Sequence, residues 1–238
     1  MPRLDAGFYS ILCRPSTARY SEVMSNAPWQ IGPILPWLDL IGIAVFAATG
    51  ALAAAQRGQT LVTLAFFALI TGVGGGTVRD LLIGAPVFWV GDRLAAPVCL
   101  VMALLVWVTP ERWWKGAALI WLDAIGLAAY AVFGAGKALG FSVPPVSAVV
   151  MGVISACVGG IIRDVLAGEP SILMRPELYV TAAALAATLY VMLRMMGLPA
   201  YEAAVIAAAA GFGLRAAAIH WNLALPAYRG RKEVSEEH

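Results

Sequence analysis

The sequence predicts an all-α membrane protein with seven transmembrane helices, built as two inverted three-helix repeats plus a seventh helix. Three observations predict it. Of 238 residues, 61% are hydrophobic and only 13% are charged, at a mean hydropathy of +0.81. Soluble domains are nearer half apolar and a quarter charged, so the surplus apolar surface here must face lipid. The apolar residues also gather into seven segments separated by proline, glycine and charge. Finally, the first half of the chain returns in the second at a constant offset of 84 residues.

The segments run 36–55, 61–90, 94–109, 116–137, 145–174, 177–196 and 200–221, against the ~20 residues that a span needs. Trp37, Trp107, Trp113, Trp114, Trp121 and Trp221 fall near segment ends, where an interfacial aromatic belt would place them. Before the first segment, residues 1–35 read as a poorly ordered N-terminal leader. Its apolar stretch, Phe8 to Cys13, is too short for a signal sequence core, and Met24 offers an alternative start. The domain plan is therefore a leader (1–35), a first three-helix repeat (36–110), a second, inverted one (116–196), a seventh helix (200–221) and a charged, disordered tail (222–238).

Loop charges give the orientation. With seven spans, one face collects Arg57, Arg112, Lys115, Arg175, Arg229, Arg231 and Lys232, and the other Arg93, Lys137 and Arg194 together with the distant leader arginines Arg3, Arg14 and Arg19, a count of seven to three once the leader is set aside. The excess of Lys and Arg marks the cytoplasmic side, so the C-terminus is expected in the cytoplasm.

Several function classes are disfavoured. Sixteen Lys and Arg against fourteen Asp and Glu leave a net charge of +2, no electrostatic footprint for nucleic acid. Cys13, Cys99 and Cys157 lie far apart, and His220 and His238 are the only histidines, so neither a disulfide framework nor a zinc site is expected. No nucleophile–base set stands out, and the reading is a non-enzyme without a cofactor.

The repeat carries rare residues in register. Trp37-Leu38-Asp39 returns as Trp121-Leu122-Asp123, Gly75-Gly76 as Gly159-Gly160, Arg79-Asp80 as Arg163-Asp164, and Pro86 as Pro170. Three crossings per unit invert the second unit relative to the first, an architecture whose functional site lies between the units near the midplane. The run Gly74-Gly75-Gly76 interrupts the second segment and Gly159-Gly160 the fifth. Each interior glycine costs about 1 kcal/mol of helix propensity relative to alanine, which predicts a break whose freed carbonyls can coordinate a cation. The competing reading is a small-residue stripe for close helix packing.

Arg79, Asp80, Arg163 and Asp164 lie inside apolar segments, where charge is expensive and marks function by default. Adjacent residues leave a helix in different directions, so partners are expected elsewhere. Arg79 could reach Asp164 and Arg163 reach Asp80 across the pseudo-twofold, or both could reach Asp39 and Asp123. The network would either lock the repeats together or line a pore. Glu202 and Arg215 read as snorkelling interface residues.

At these residues, Gly74 to Gly84 with Pro86-Val87-Phe88-Trp89, repeated from Gly159 to Pro170, the chain resembles the prokaryotic trimeric intracellular cation channels. The same family is catalogued as glycine transporters. The resemblance implies a homotrimer in membrane lipid, with room for bound lipid, and a potassium-permeable pore inside each protomer. It implies a constriction at glycine kinks of the second and fifth helices. Gly74, Gly75, Gly76, Thr77, Gly159 and Gly160 would line it, with backbone carbonyls near Gly75 and Gly160 meeting potassium. A secondary transporter for a small zwitterion such as glycine is the alternative, and a non-conducting scaffold the third reading.

Overall fold

A computed structural model describes residues 35–110, 113–114, 118–171 and 178–224. The expectations for the leader up to residue 34 and for the tail from residue 225 lie outside the described residues, as do Arg112, Lys115 and Arg175. Eight helices occur among the described residues: α1 (Leu35–Ala55), α2 (Leu61–Leu82), the single-turn α3 (Phe88–Gly91), α4 (Ala95–Val108), α5 (Ala118–Gly140), α6 (Pro145–Ala167), α7 (Val180–Met195) and α8 (Ala200–Trp221). Seven begin close to the starts of the seven apolar segments. The second and fifth segments end differently, because α2 stops at Leu82 and the chain turns at Gly84 (φ +68°) before α3, and α6 stops at Ala167 before Gly168 (φ +67°).

Local chemistry sets these boundaries. The Thr60 side chain accepts a hydrogen bond from the Thr63 amide and caps α2, satisfying one of the first-turn donors that a helix leaves open. Pro145 occupies the first turn of α6, and Gly168 ends it in the left-handed region at φ +67°, the proline-in, glycine-out asymmetry of helix ends. Helices α2, α5, α6 and α8, of 22 or 23 residues, are long and apolar enough to cross a membrane. Helices α4 and α7, of 14 and 16 residues, are shorter.

The packing inverts that of a water-soluble protein. Ala47, Ala51, Ala131, Ala135, Ala183 and Ala187 are buried, whereas Val62, Leu81, Val90 and Val146 point outward. Lipid supplies no hydrophobic drive for helices to associate, so small residues that let backbones approach are favoured between them. Helices α1, α2 and α4 pack on one another, and so do α5, α6 and α7. The two groups meet where α2 crosses α6 and α1 lies along α5, while α8 covers α5 and α7.

Candidate functional site

The glycines meet at the crossing of α2 and α6. Both helices run uninterrupted through them, so the expected unwinding is absent and the two backbones come into close contact there. The reason is steric. A Cβ at Gly75 would strike the Ser155 carbonyl oxygen, and one at Gly159 would lie 2.7 Å from the Thr71 carbonyl oxygen. Only glycine allows so close a backbone approach, and the contact outweighs the propensity cost. Gly74 faces the tip of Ile162, Gly76 faces the Phe88 ring, and Gly160 faces the Tyr179 hydroxyl. The hydroxyls of Thr71 and Ser155 are buried here without a hydrogen-bond partner among the described residues.

Beyond the crossing, the end of α2 is latched to α3. Thr77 Oγ1 donates to the Val73 carbonyl at 2.7 Å and accepts from Trp89 Nε1 at 3.0 Å. Asp80 Oδ2 accepts the Phe88 amide proton at 3.0 Å. The other Asp80 oxygen accepts from Arg79 Nε at 2.9 Å and from Lys137 Nζ of α5 at 2.8 Å. Arg79, Asp80 and Lys137 are all buried. The Arg79 guanidinium also stands 5.3 Å from the Phe133 ring centre, within cation–π range, and its Nη1 has no hydrogen-bond partner among the described residues.

The second half builds a different cluster from matching residues. Arg163 donates through Nη1 to Asp123 at 2.6 Å and through Nε to Asp164 at 2.9 Å. Asp39, the counterpart of Asp123, instead accepts from the Tyr130 hydroxyl at 3.1 Å. Each arginine thus bonds the aspartate that follows it, and the cross-pairing of Arg79 with Asp164 and Arg163 with Asp80 is not what forms. The Arg side chain is long enough to curl back beside its own helix, which the i, i+1 geometry of Cβ directions does not capture. The pairing of Arg163 with Asp123 is one that the sequence offered.

Two buried cations were misplaced by sequence reasoning. Lys137 counts there as a loop charge, but it lies inside α5 with its ammonium on Asp80. It therefore leaves the tally of loop charges. Arg215 does not snorkel; it is buried, 5.3 Å from the Tyr179 ring centre.

Comparison with known proteins identifies relatives along most of the chain. A family model described as glycine transporter matches twice, over residues 36–111 and 120–195. The inner membrane protein YadS of Escherichia coli K12 is 38% identical over 200 residues, covering 81% of this chain and 95% of YadS. Among solved structures, the trimeric intracellular cation (TRIC) channel orthologue from Rhodobacter sphaeroides is 40% identical with a TM-score of 0.74, across 80% of this chain and 99% of that one. A prokaryotic TRIC channel crystallised in 0.5 M KCl is 27% identical with a TM-score of 0.73, across 79% of this chain and 97% of that one. An all-helical membrane chain with its glycine-Arg-Asp motif at a helix crossing, matched along most of its length, belongs to the TRIC channel family, whose sequence model carries the description glycine transporter.

Proposed function

We propose that this protein is a potassium-permeable channel for monovalent cations, with one pore in each protomer of a homotrimer. The observation that carries the reading is the match to the Rhodobacter sphaeroides TRIC channel over 99% of that chain. Seven spans form two inverted three-helix units, 36–110 and 116–196, followed by the helix at 200–221, with the C-terminus in the cytoplasm of an inner-membrane protein. The two family-model matches begin 84 residues apart, which supports the repeat.

The pore is constricted where α2 crosses α6, at Gly74, Gly75, Gly76, Thr77, Gly159 and Gly160. With the helices in backbone contact, conduction requires the crossing to widen. Backbone carbonyls near Gly75 and Gly160 would then replace part of the hydration shell of potassium. The charge network of Arg79, Asp80, Arg163, Asp164, Asp39 and Asp123 holds the flanking helices in place. No ring of acidic side chains is expected at the constriction, so selectivity among monovalent cations should be modest.

The family description keeps one second reading in play: a secondary transporter for glycine, held between the same two units. Recording purified protein in planar bilayers separates them. Unitary potassium currents are expected; saturable glycine uptake without such currents would replace the channel with the transporter. Mass measurement of the solubilised protein tests the trimer.

A further inference from the structure

A crevice of about 290 Å³ opens between α1, α5 and α8, and neither α2 nor α6 contributes to its wall. Gly42, Gly126, Ala129 and Ala204 contribute to that wall, and nearly all of it is apolar. Its rim carries Ile41, Tyr201 and Val205, each more than half exposed, so a molecule dissolved in the bilayer can reach it sideways. At its polar end stand Asp39 and the Tyr130 hydroxyl, which donates to Asp39 Oδ1 at 3.1 Å.

Asp39 is the carboxylate of the network that lacks an ion pair among the described residues. Its counterpart Asp123 holds Arg163 at 2.6 Å. The matching Arg79 spends its Nε and Nη2 on Asp80, and Arg79 and Lys137 act on Asp39 only through space. A carboxylate at membrane depth is expensive unless a cation meets it. An apolar pocket with one charged group at its end orients an amphiphile.

We propose that this crevice binds a lipophilic ammonium ion, its hydrocarbon chain lying among α1, α5 and α8 and its cationic head on the Asp39 carboxylate. The volume holds a chain of about eight carbons plus the nitrogen, counting each as roughly the ~30 Å³ of a water molecule.

The test uses the full-length protein in nanodiscs of zwitterionic phospholipid, with octylammonium and its neutral analogue octanol as probes. Equilibrium dialysis against empty nanodiscs reads the affinity. Saturable octylammonium binding, one per protomer and at least tenfold tighter than octanol, is expected. Asp39→Asn, whose amide oxygen still accepts from Tyr130, should bring the two probes to equal affinity. Ala129→Phe, at an exposed wall position, should exclude both. Equal affinities in the unaltered protein would overturn the proposal. So would a preference that survives Asp39→Asn, or no saturable binding at all because a neighbouring protomer fills the crevice. Should Asp39→Asn fail to fold, the comparison of probes in the unaltered protein and in Ala129→Phe still decides. Currents play no part in the readout, so this result is separate from that of the channel reading.

Discussion

The Lys137 ammonium lies 2.8 Å from one oxygen of Asp80 and 3.0 Å from the other, tying α5 to α2 in a buried site. Asp80 also bonds Arg79 and the Phe88 amide, so it is the shared acceptor of two cations and a backbone donor. Its loss should hurt more than the loss of any one donor. Asp80→Asn is expected to cost about 3–5 kcal/mol, the range for stranding buried charge. Lys137→Met should cost about 1.5–3 kcal/mol, because Asp80 keeps Arg79. Thermal unfolding of both variants in nanodiscs checks the order, and a larger loss for Lys137→Met would contradict it.

Arg79 and Arg163 match in the repeat but should not match in energy. Arg163→Ala strands the buried Asp123 carboxylate, whereas Arg79→Ala leaves Asp80 on Lys137. The first substitution should approach 3–5 kcal/mol and the second should fall well below it. Yields of folded, size-homogeneous protein and melting temperatures provide the comparison.

Alanine substitutions along one glycine run should differ from residue to residue. Gly75→Ala and Gly159→Ala meet backbone carbonyls, which cannot move without parting α2 from α6, and should cost about 1–3 kcal/mol. Gly74→Ala meets only the end of Ile162, 3.1 Å away, and gains up to ~1 kcal/mol of helix propensity. A melting temperature that falls for Gly75→Ala and holds for Gly74→Ala is the expected pair. Equal effects would show that helix propensity, and not the crossing, governs this run.

The latch between α2 and α3 rests partly on one indole hydrogen bond, from Trp89 to Thr77. Thr77→Val keeps the shape and removes the acceptor, at a cost of about 0.5–1.5 kcal/mol. With Trp89 as reporter, expressed alone by replacing the other tryptophans with phenylalanine, fluorescence should shift to the red in Thr77→Val.

Gly168 ends α6 at φ +67° with open space where a side chain would go. Gly168→Ala is therefore opposed by backbone conformation alone, about 1–2 kcal/mol. Asparagine, which tolerates this region better, should recover part of the loss in the same unfolding assay.

Helix positions were legible in the sequence because lipid imposes a length and a composition on every span. Seven apolar segments accordingly lie over seven of the eight helices among the described residues, and the turns at Gly84 within the second and Gly168 within the fifth were overlooked. The network was half legible. Paired Arg-Asp motifs flagged it, and Asp123 was named as a partner for Arg163. Lys137 was hidden because a single cation near a segment end looks the same whether it faces lipid headgroups or a buried carboxylate. The glycines misled in a different way: propensity is a local quantity, and the contacts of Gly75 with Ser155 and of Gly159 with Thr71 join residues 80 and 88 positions apart.

The distribution of acid and base among the helices bears on how the membrane potential acts on this protein. Helix α2 carries Arg79 with Asp80, α5 Asp123 with Lys137, α6 Arg163 with Asp164, and α8 Glu202 with Arg215. A rigid slide of any of these along the bilayer normal moves no net side-chain charge through the field. Each elementary charge that does cross 100 mV is worth about 2.3 kcal/mol, and these four helices forgo that work. Helices α1 and α7 differ, with Asp39 the sole charge on one and Arg194 on the other. On side-chain charge alone, a transmembrane voltage therefore does no net work on a rigid slide of α2 or α6, whichever way it points.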